Sequence, residues 1–271
     1  MTKLTFLGTG TSVGVPVIGC HCPVCTSTNP HNNRTRSSVL LQTTEQTLLV
    51  DFGPDLRQQA LRERLSMVDA VLVTHQHLDH IMGFDDLRAF CWHRPDPLRL
   101  FGGPETLAAL ERMFPWAFDA QGYKGYVRID PQIITTPFTL GDLTITPLPV
   151  VHGQMETLGF RFDLPGGQAL AYLSDVKSIP PSTATLMTGL DVLIIDALRP
   201  TEHPTHMSHQ EALHASSQIK ARQTFLTHLT HDCDADALST RLPPEISVAH
   251  DGMQLHFETG IPASTIPAPS K

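Results

Sequence analysis

The segment 74–80 reads Thr-His-Gln-His-Leu-Asp-His and concentrates three imidazoles and one carboxylate at one point of the chain. It follows the apolar run 70–73, which predicts a buried strand. Imidazole and carboxylate groups suit zinc, manganese or iron. Because a buried strand holds its terminal side chains rigidly, this spacing predicts a site that can surround two neighbouring ions. The candidate ligands are His75, His77, Asp79 and His80.

Three further candidate ligands share one context, since each stands at or just after the end of an apolar run: His152, Asp175 and His228. A single histidine after a strand is more often a surface residue, so none of them is informative alone. Together with segment 74–80 they give seven nitrogen and oxygen ligands. Two ions that share one carboxylate require such a set. Ions placed in this way lower the pKa of a water and stabilise the attacking and leaving oxygens of a displacement.

Segment 74–80, followed in order by the later His, Asp and His, resembles the signature of the metallo-β-lactamase superfamily over nearly the whole chain. The resemblance implies two ions and a shared carboxylate: one ion on His75, His77 and His152, the second on Asp79, His80 and His228, with Asp175 bridging. It also implies an α/β fold, a single-domain four-layer αββα sandwich with the site at one edge of its two sheets. The β-lactamases of this superfamily usually carry Cys at the Asp175 position, so Asp points to its hydrolase branches.

A second group of metal-ligating residues lies in Cys20-His21-Cys22-Pro23-Val24-Cys25. This spacing indicates a metal site rather than a disulfide framework. A tetrahedral zinc needs a fourth ligand, for which His231 and Cys233 are rival candidates. The alternative is a set of three reduced structural thiols. The fifth cysteine, Cys91, has no partner in sequence and is expected to be a buried small hydrophobe.

This cysteine-rich turn, with His231 in the sequence His-Leu-Thr-His, resembles the cyclic-phosphoribosyl phosphodiesterases of the carbon–phosphorus lyase pathway. The resemblance implies a structural zinc whose ligands are Cys20, Cys22, Cys25 and His231. It also implies that His206 assists the leaving group, with His209 the less favoured choice. We assign catalytic roles to His206 and Asp79.

Other polar residues near these motifs have two readings each. Asp51 matches a family aspartate that supports a ligating histidine, but it can equally be an ordinary residue at a strand end. Arg34 and Arg36 can meet a phosphate or be solvated, and the sequence favours neither. The glycine-rich segment 8–14 half-resembles a dinucleotide loop, but its G-x-G-x3-G spacing is wrong for one. Its glycines are expected to let the backbone pass close to the metal site.

The elements that must position these residues follow from the apolar patterns. Strands are predicted at 4–7, 38–41, 47–50, 70–73, 98–101, 144–151, 158–162, 169–173, 192–195 and 225–227, and helices at 54–65, 85–92, 104–114 and 209–221. Ser208 and Glu211 form a capping-box pattern before the last helix. We predict one hydrolase domain over residues 1–260, including the zinc turn, and a flexible tail rich in Pro, Ala and Ser over 261–271.

Composition limits the partners. The chain has 271 residues and a formal net charge of −8, which argues against a broad nucleic-acid surface because phosphate binding needs clustered Lys and Arg. No apolar stretch approaches membrane-spanning length, and the N-terminus lacks the apolar core of a signal peptide. We therefore expect a cytoplasmic protein without a membrane partner. The sequence leaves a homodimer open.

These observations favour a binuclear metal-dependent phosphodiesterase with two catalytic divalent metals, zinc or manganese, and one structural zinc. The resemblance implies a small phosphodiester substrate, 5-phosphoribosyl 1,2-cyclic phosphate, opened to ribose 1,5-bisphosphate. One alternative is a tRNA 3′-processing endonuclease, which has the same ligand set but usually a basic arm that is not visible here. Another is a non-catalytic accessory protein like that of pyrroloquinoline quinone biosynthesis, against which the complete ligand set counts.

Overall fold

Two β-sheets pack face to face in the computed structural model, which describes residues 1–92, 94–119, 125–258 and 261–266. The first sheet has the order β15-β14-β1-β2-β3-β4-β5-β6. Its strands are β1 (Thr2–Gly8), β2 (Ser38–Gln42), β3 (Thr47–Val50), β4 (Ala70–Leu72), β5 (Leu98–Gly102), β6 (Ile129–Ile133), β14 (Gln254–Glu258) and β15 (Ile261–Ile266).

The second sheet has the order β13-β12-β11-β10-β9-β8-β7. Its strands are β7 (Phe138–Leu140), β8 (Leu143–His152), β9 (Met155–Asp163), β10 (Ala169–Leu173), β11 (Val192–Asp196), β12 (Gln223–Thr227) and β13 (Ile246–Val248). The α-helices of the described chain are α1 (Leu56–Arg62), α2 (Leu78–Ile81), α3 (Arg88–Cys91), α4 (Pro104–Met113), α5 (Pro181–Leu186), α6 (His209–Ile219) and α7 (Ala235–Ser239).

The packing has four layers because the inner strands are apolar on both faces. In β3, Leu48 and Val50 point into the core between the two sheets, whereas Leu49 points outward against the layer that contains α1 and α4. On the second sheet the outward residues pack against α5 and α6. A strand covered on both faces reads as a continuous apolar run rather than an alternating one. The predicted αββα sandwich is therefore confirmed.

Most strands that carry the candidate site have a parallel neighbour, but β8, which ends at His152, is antiparallel to both of its neighbours. β3, β4, β5 and β6 run parallel in the first sheet, and β10, β11, β12 and β13 run parallel in the second. Carboxyl ends of parallel strands lie at the same edge of a sheet, where ligands bind in open α/β sheets. The residues that follow β3, β4, β10 and β12 therefore meet at one edge of the sandwich.

The element predictions hold for most strands and are less accurate for helices. The helix predicted at 54–65 is shorter, Leu56–Arg62, and the one predicted at 85–92 is a 3-10 turn, Phe84–Leu87, followed by the single turn of α3. The capping box at Ser208 and Glu211 is present. Strands β6, β7, β13 and β14 and helices α2, α5 and α7 were not predicted, because polar residues interrupt the apolar pattern of each.

Residues 261–266 lie within the predicted tail. They form β15, which pairs antiparallel with β14 and extends the first sheet by one strand. A reading of composition alone misses this pairing, because an unpaired sheet edge offers backbone hydrogen bonds to a segment of almost any sequence. Residues 259–260 and 267–271 lie outside the described part of the chain. In the part that the structure describes, no helix is long and apolar enough to cross a membrane.

Candidate metal centre

One group of ligand atoms gathers where β4 and β8 end. His75 and His77 follow β4, and His152 is the last residue of β8. The Nε2 atom of His75 lies 2.9 Å from Nδ1 of His77, which in turn lies 3.2 Å from Nε2 of His152. Asp175, just after β10, places its Oδ2 atom 3.8 Å from Nε2 of His75 and of His152. Three imidazole nitrogens and a carboxylate oxygen thus face one point.

A second group shares Asp175 with the first. Helix α2 begins directly after His77 and carries Asp79 and His80 in its single turn. Nε2 of His80 lies 3.1 Å from Oδ1 of Asp175 and 3.3 Å from Asp79. Nε2 of His228, after β12, lies 3.4 Å from Asp175 and 3.6 Å from Asp79. The structure therefore brings together all seven residues that the sequence singles out, in two groups joined by Asp175.

The donor set fits two divalent cations. Among the described residues, Nε2 of His80, Oδ1 of Asp175 and both ring nitrogens of His228 are buried without a hydrogen-bond partner. Polar atoms buried in this way are costly unless a partner satisfies them. A cation satisfies several of these atoms at once.

Electrostatics within the two groups agree with this fit. Burial lowers the pKa of His152 to about 4, which keeps its imidazole neutral. Burial opposes ionisation of Asp175, but His228 and His80 outweigh it and hold the pKa of that carboxyl well below its usual value. Despite burial, Asp175 raises the pKa of His228 to about 9. Binding of a metal to His228 must therefore displace a proton.

Buried acceptors orient the ligating rings. Asp51, fully buried after β3, accepts a hydrogen bond from Nδ1 of His80 at 2.7 Å. It also accepts from the Thr74 hydroxyl, which lies 3.0 Å from Nδ1 of His75. The Thr205 carbonyl accepts from Nδ1 of His152 at 2.8 Å. Each contact fixes the tautomer that leaves Nε2 free to bind a metal. Of the two readings of Asp51, its position fits support of a ligating histidine.

Two of these residues have an unusual backbone. Asp51 has a φ of 63° and His228 a φ of 58°. Residues other than glycine rarely adopt left-handed values, and those that do are concentrated at functional sites. Both residues stand where a parallel strand ends and the chain must turn sharply to place its side chain between the sheets.

We expect Asp51→Asn to weaken metal binding by about 10- to 100-fold, the range for loss of a carboxylate that orients a ligating histidine. The amide keeps the size of the side chain but not the charge that faces His80. Competition with a chromogenic chelator measures the affinity. Asp69→Asn is the matched control, because Asp69 accepts a backbone hydrogen bond from Thr47 away from the site. Unchanged affinity in Asp51→Asn would show that Asp51 only shapes the strand end.

His206 lies beside both metal groups. Its ring stacks on His228, with centroids 4.9 Å apart, and its Nε2 atom lies 3.9 Å from Asp175. Nδ1 of His206 donates to Asp196 at 2.7 Å, and Asp196 also accepts from the Val176 amide. His209, the less favoured alternative, instead lies 3.0 Å from the Cys233 sulfur.

Asp196 is a candidate functional residue that the sequence analysis missed. It is the last residue of β11, in the sequence Val-Leu-Ile-Ile-Asp, and is fully buried. The signal was available, because Asp51 and Asp175 also follow apolar runs. Without a neighbouring histidine in sequence, however, nothing indicated that Asp196 faces His206.

The cysteine-rich turn forms a separate four-residue group. The sulfur atoms of Cys20, Cys22 and Cys25 lie 3.2, 3.7 and 3.3 Å from Nδ1 of His231. This set suits a closed tetrahedral zinc site. A hydrogen bond from the Cys25 amide helps to lower the pKa of Cys22 to about 7, which favours the thiolate that metal binding needs.

Two cysteines lie outside this group. Cys233, the rival fourth ligand, is buried beside His209, and Cys91 is buried in the apolar layer that contains α1 and α4. The positions of the four sulfur and nitrogen donors therefore favour His231 over Cys233.

Cys22→Ser is expected to lower the zinc content by about one ion per chain and to reduce the melting temperature, since a closed four-ligand site contributes folding free energy. Turnover per folded molecule should change less. Elemental analysis and thermal denaturation measure these effects. His21→Ala, an exposed substitution in the same turn, is the control and should change neither. Unchanged zinc content in Cys22→Ser would mean that the thiols are merely structural.

The glycine-rich loop after β1 passes along the site. A Cβ atom on Gly8 would overlap the Arg36 carbonyl, so the backbone can come this close to Arg36 only at a glycine. The loop pairs with the end of β12, where the Leu229 amide donates to Thr9 and the Leu229 carbonyl accepts from Thr11. Through these contacts the backbone reaches the segment that carries His228, as the sequence predicts.

Both arginines of the segment 34–36 make contacts with the N-terminal loop. Arg34 is buried and donates to the Thr9 hydroxyl and the Ala249 carbonyl. Arg36 pairs with Asp55 and donates to the Ser12 carbonyl. Both residues therefore hold the N-terminal loop in place.

A cavity of about 260 Å³ opens onto the two metal groups. Its lining residues are Ser12, His77, Leu78, Asp79, His152, Asp175, Thr205, His206 and His228. A larger cavity of about 730 Å³ lies between α5 and α6. No residue of the two metal groups lines the larger cavity, so the smaller cavity is the candidate active site.

Comparisons with known proteins agree with this geometry. A model of the beta-lactamase superfamily domain matches residues 46–229. A crystal structure described as a new diphosphatase from the PhnP family is 37% identical, with a TM-score of 0.87, and covers 96% of this chain and 99% of its own.

Two curated relatives are also similar. The octanoyltransferase of Porphyromonas gingivalis is 36% identical over 260 residues, which are 93% of this chain and 51% of that protein. A ribonuclease Z of Bradyrhizobium diazoefficiens is 29% identical over 63% of this chain and 52% of its own length. The chain thus spans about half the length of each.

Proposed function

From the premise that this chain belongs to the β-lactamase superfamily, as a hydrolase with the metallo-β-lactamase fold, we propose that it hydrolyses small phosphoric diesters. The observation that carries the proposal is the arrangement of two ligand groups around Asp175, with the His206–Asp196 pair beside them. The residues proposed to hold one cation are His75, His77 and His152, and those proposed for the other are Asp79, His80 and His228, with Asp175 shared. We propose zinc or manganese for these ions and zinc for the cysteine-rich turn.

Two divalent cations at these positions supply Lewis acidity and an acidified water for attack on phosphorus. The chain's own residues complete the site. Asp196 holds Nδ1 of His206, so the Nε2 edge of that ring faces the cavity. A proton on Nε2 can pass to the departing oxygen, which is general acid catalysis. Asp79 and Asp175 are carboxylates that point at the same space.

Within this reaction class we propose 5-phosphoribosyl 1,2-cyclic phosphate as the substrate and ribose 1,5-bisphosphate as the product. A cavity of about 260 Å³ suits a small sugar phosphate. The net charge of −8 does not suit a nucleic acid, and neither Arg34 nor Arg36 lines the cavity. A small phosphodiester thus remains the proposed partner, and a homodimer remains a prediction.

A diphosphate is a second candidate substrate, because the PhnP-family structure that is 37% identical is described as a diphosphatase. Hydrolysis of a P–O–P bridge uses the same ligand groups, but its phosphate leaving group needs a proton less than a sugar alkoxide does. The endonuclease alternative rests on the ribonuclease Z relative, which is less similar and covers less of the chain.

Steady-state assays of the zinc- or manganese-loaded protein test the proposal. We expect the highest kcat/KM with 5-phosphoribosyl 1,2-cyclic phosphate, a lower value with ADP-ribose as a diphosphate, and no cleavage of a precursor tRNA. Preference for ADP-ribose would select the diphosphatase, and efficient tRNA cleavage the endonuclease. Two bound ions without turnover of any substrate, including bis(p-nitrophenyl) phosphate, would point to the accessory protein and contradict the proposal.

A further inference from the structure

His203 extends the site beyond His206. It lies in the loop between β11 and α6, and its ring centroid is 5.1 Å from that of His206. His203 is half-buried and stands two residues before Thr205, whose carbonyl orients His152 and which lines the cavity. Because His206 is proposed to protonate the leaving group, His203 lies on the leaving-group side of the scissile bond.

The hydrogen bonds of His203 define its tautomer. Its Nδ1 atom accepts from the Thr205 amide at 3.3 Å and lies 3.3 Å from the Thr205 hydroxyl. A backbone amide only donates, so Nδ1 is unprotonated and the hydrogen of the neutral ring is on Nε2. Among the described residues, Nε2 has no hydrogen-bond partner and is open to solvent. The ring therefore presents one unused donor next to His206.

The surroundings of His203 favour an anion. Arg199 donates to the carbonyls of Thr201 and Glu202, and no carboxylate in the described part of the chain pairs with it. Its positive charge fixes the loop that carries His203. Burial lowers the pKa of His203, and the nearby positive charges, Arg199 among them, lower it further, which favours the neutral ring as a donor.

We propose that His203 is a specificity residue that binds a second phosphate of the substrate by donating its Nε2–H to a phosphate oxygen. The proposal rests on the proposed function, because it takes the ester bond as the reacting bond and His206 as the group at the leaving oxygen. It adds that the 5-phosphate of the proposed substrate, which does not react, is bound by His203.

Kinetics with and without the second phosphate test the proposal. For His203→Ala we expect KM for 5-phosphoribosyl 1,2-cyclic phosphate to rise about 10- to 100-fold, the range for one hydrogen bond to a charged group. We expect kcat to change less than about twofold. The kinetic constants for ribose 1,2-cyclic phosphate should be unaffected. His203→Gln keeps an N–H donor, so it should raise KM much less than His203→Ala does. His214→Ala, at an exposed position, is the control. Equal losses on both substrates, or a loss in kcat alone, would overturn the proposal.

A binding measurement separates this proposal from the proposed function. Calorimetry on the metal-loaded protein compares ribose 1,5-bisphosphate with inorganic phosphate. His203→Ala should weaken the binding of ribose 1,5-bisphosphate by the same factor by which it raises KM. It should leave the affinity for inorganic phosphate unchanged. If the wild type hydrolyses neither cyclic ester, the proposed function fails, and the calorimetric difference still supports or overturns the phosphate subsite. Equal effects on the two ligands would overturn it.

Discussion

Asp175→Ala is expected to reduce diester hydrolysis by about 10³-fold or more and to lower the catalytic metal content below two ions per chain. The carboxylate is the one residue that both ligand groups share, with oxygens 3.8 Å from His75 in the first group and 3.1 Å from His80 in the second. Lewis-acid stabilisation of the transition state is worth several kcal/mol, and about 1.4 kcal/mol corresponds to a factor of ten. Elemental analysis after dialysis and kcat/KM with bis(p-nitrophenyl) phosphate measure the two effects.

Two controls make the Asp175 result specific. Asp163→Ala removes the same charge from a partly exposed residue that pairs with Arg161, and it should leave hydrolysis unchanged. Circular dichroism of Asp175→Ala should show a folded protein, since the apolar layers do not depend on this side chain. A folded variant with full activity would show that the metal site is assigned wrongly.

His206→Ala is expected to slow a cyclic sugar phosphate by about 10²- to 10⁴-fold, the contribution of a general acid. It should slow bis(p-nitrophenyl) phosphate far less, because nitrophenolate departs without a proton. The structure supports this difference, since Asp196 holds the His206 ring with Nε2 toward the cavity. Single-turnover rates with both substrates measure the effect on chemistry rather than on product release.

Companion variants distinguish acid catalysis from positioning. Asp196→Asn should show the same substrate dependence with a smaller loss, since it perturbs the ring without removing it. His214→Ala, an exposed histidine on α6, should have no effect. Equal losses on both substrates in His206→Ala would mean that His206 binds or positions the phosphate.

Much of the candidate site could be predicted because its ligands stand at strand ends. Asp175 and His228 follow apolar runs in parallel strands, and a parallel sheet gathers such ends at one edge. His152 also follows an apolar run, but it ends β8, which is antiparallel to its neighbours. No single apolar run shows the order of the strands within a sheet. Nothing in sequence therefore shows that Asp196 faces His206, and the resemblance gave no role to it.

Sequence patterns give least information where a residue lies in a loop or at a sheet edge. His203 was not singled out, because its contact with Thr205 depends on how the loop folds back, which the apolar pattern does not encode. The strand at 261–266 depends on a free edge beside β14 rather than on its own composition. Helix α1 is shorter than predicted because Pro54 and Asp55 belong to the turn after β3 and precede the first helical residue.

The segment from His228 to His231 contributes one histidine to each of two sites, and only two residues separate these histidines. His228 faces Asp175, His231 faces the three cysteines, and Leu229 pairs with the N-terminal loop. Surface loops ordinarily tolerate insertions and deletions between homologues. Here one added or lost residue would displace a histidine from one of the two centres. We therefore expect this stretch to keep a fixed length across related proteins, even where its two intervening residues vary.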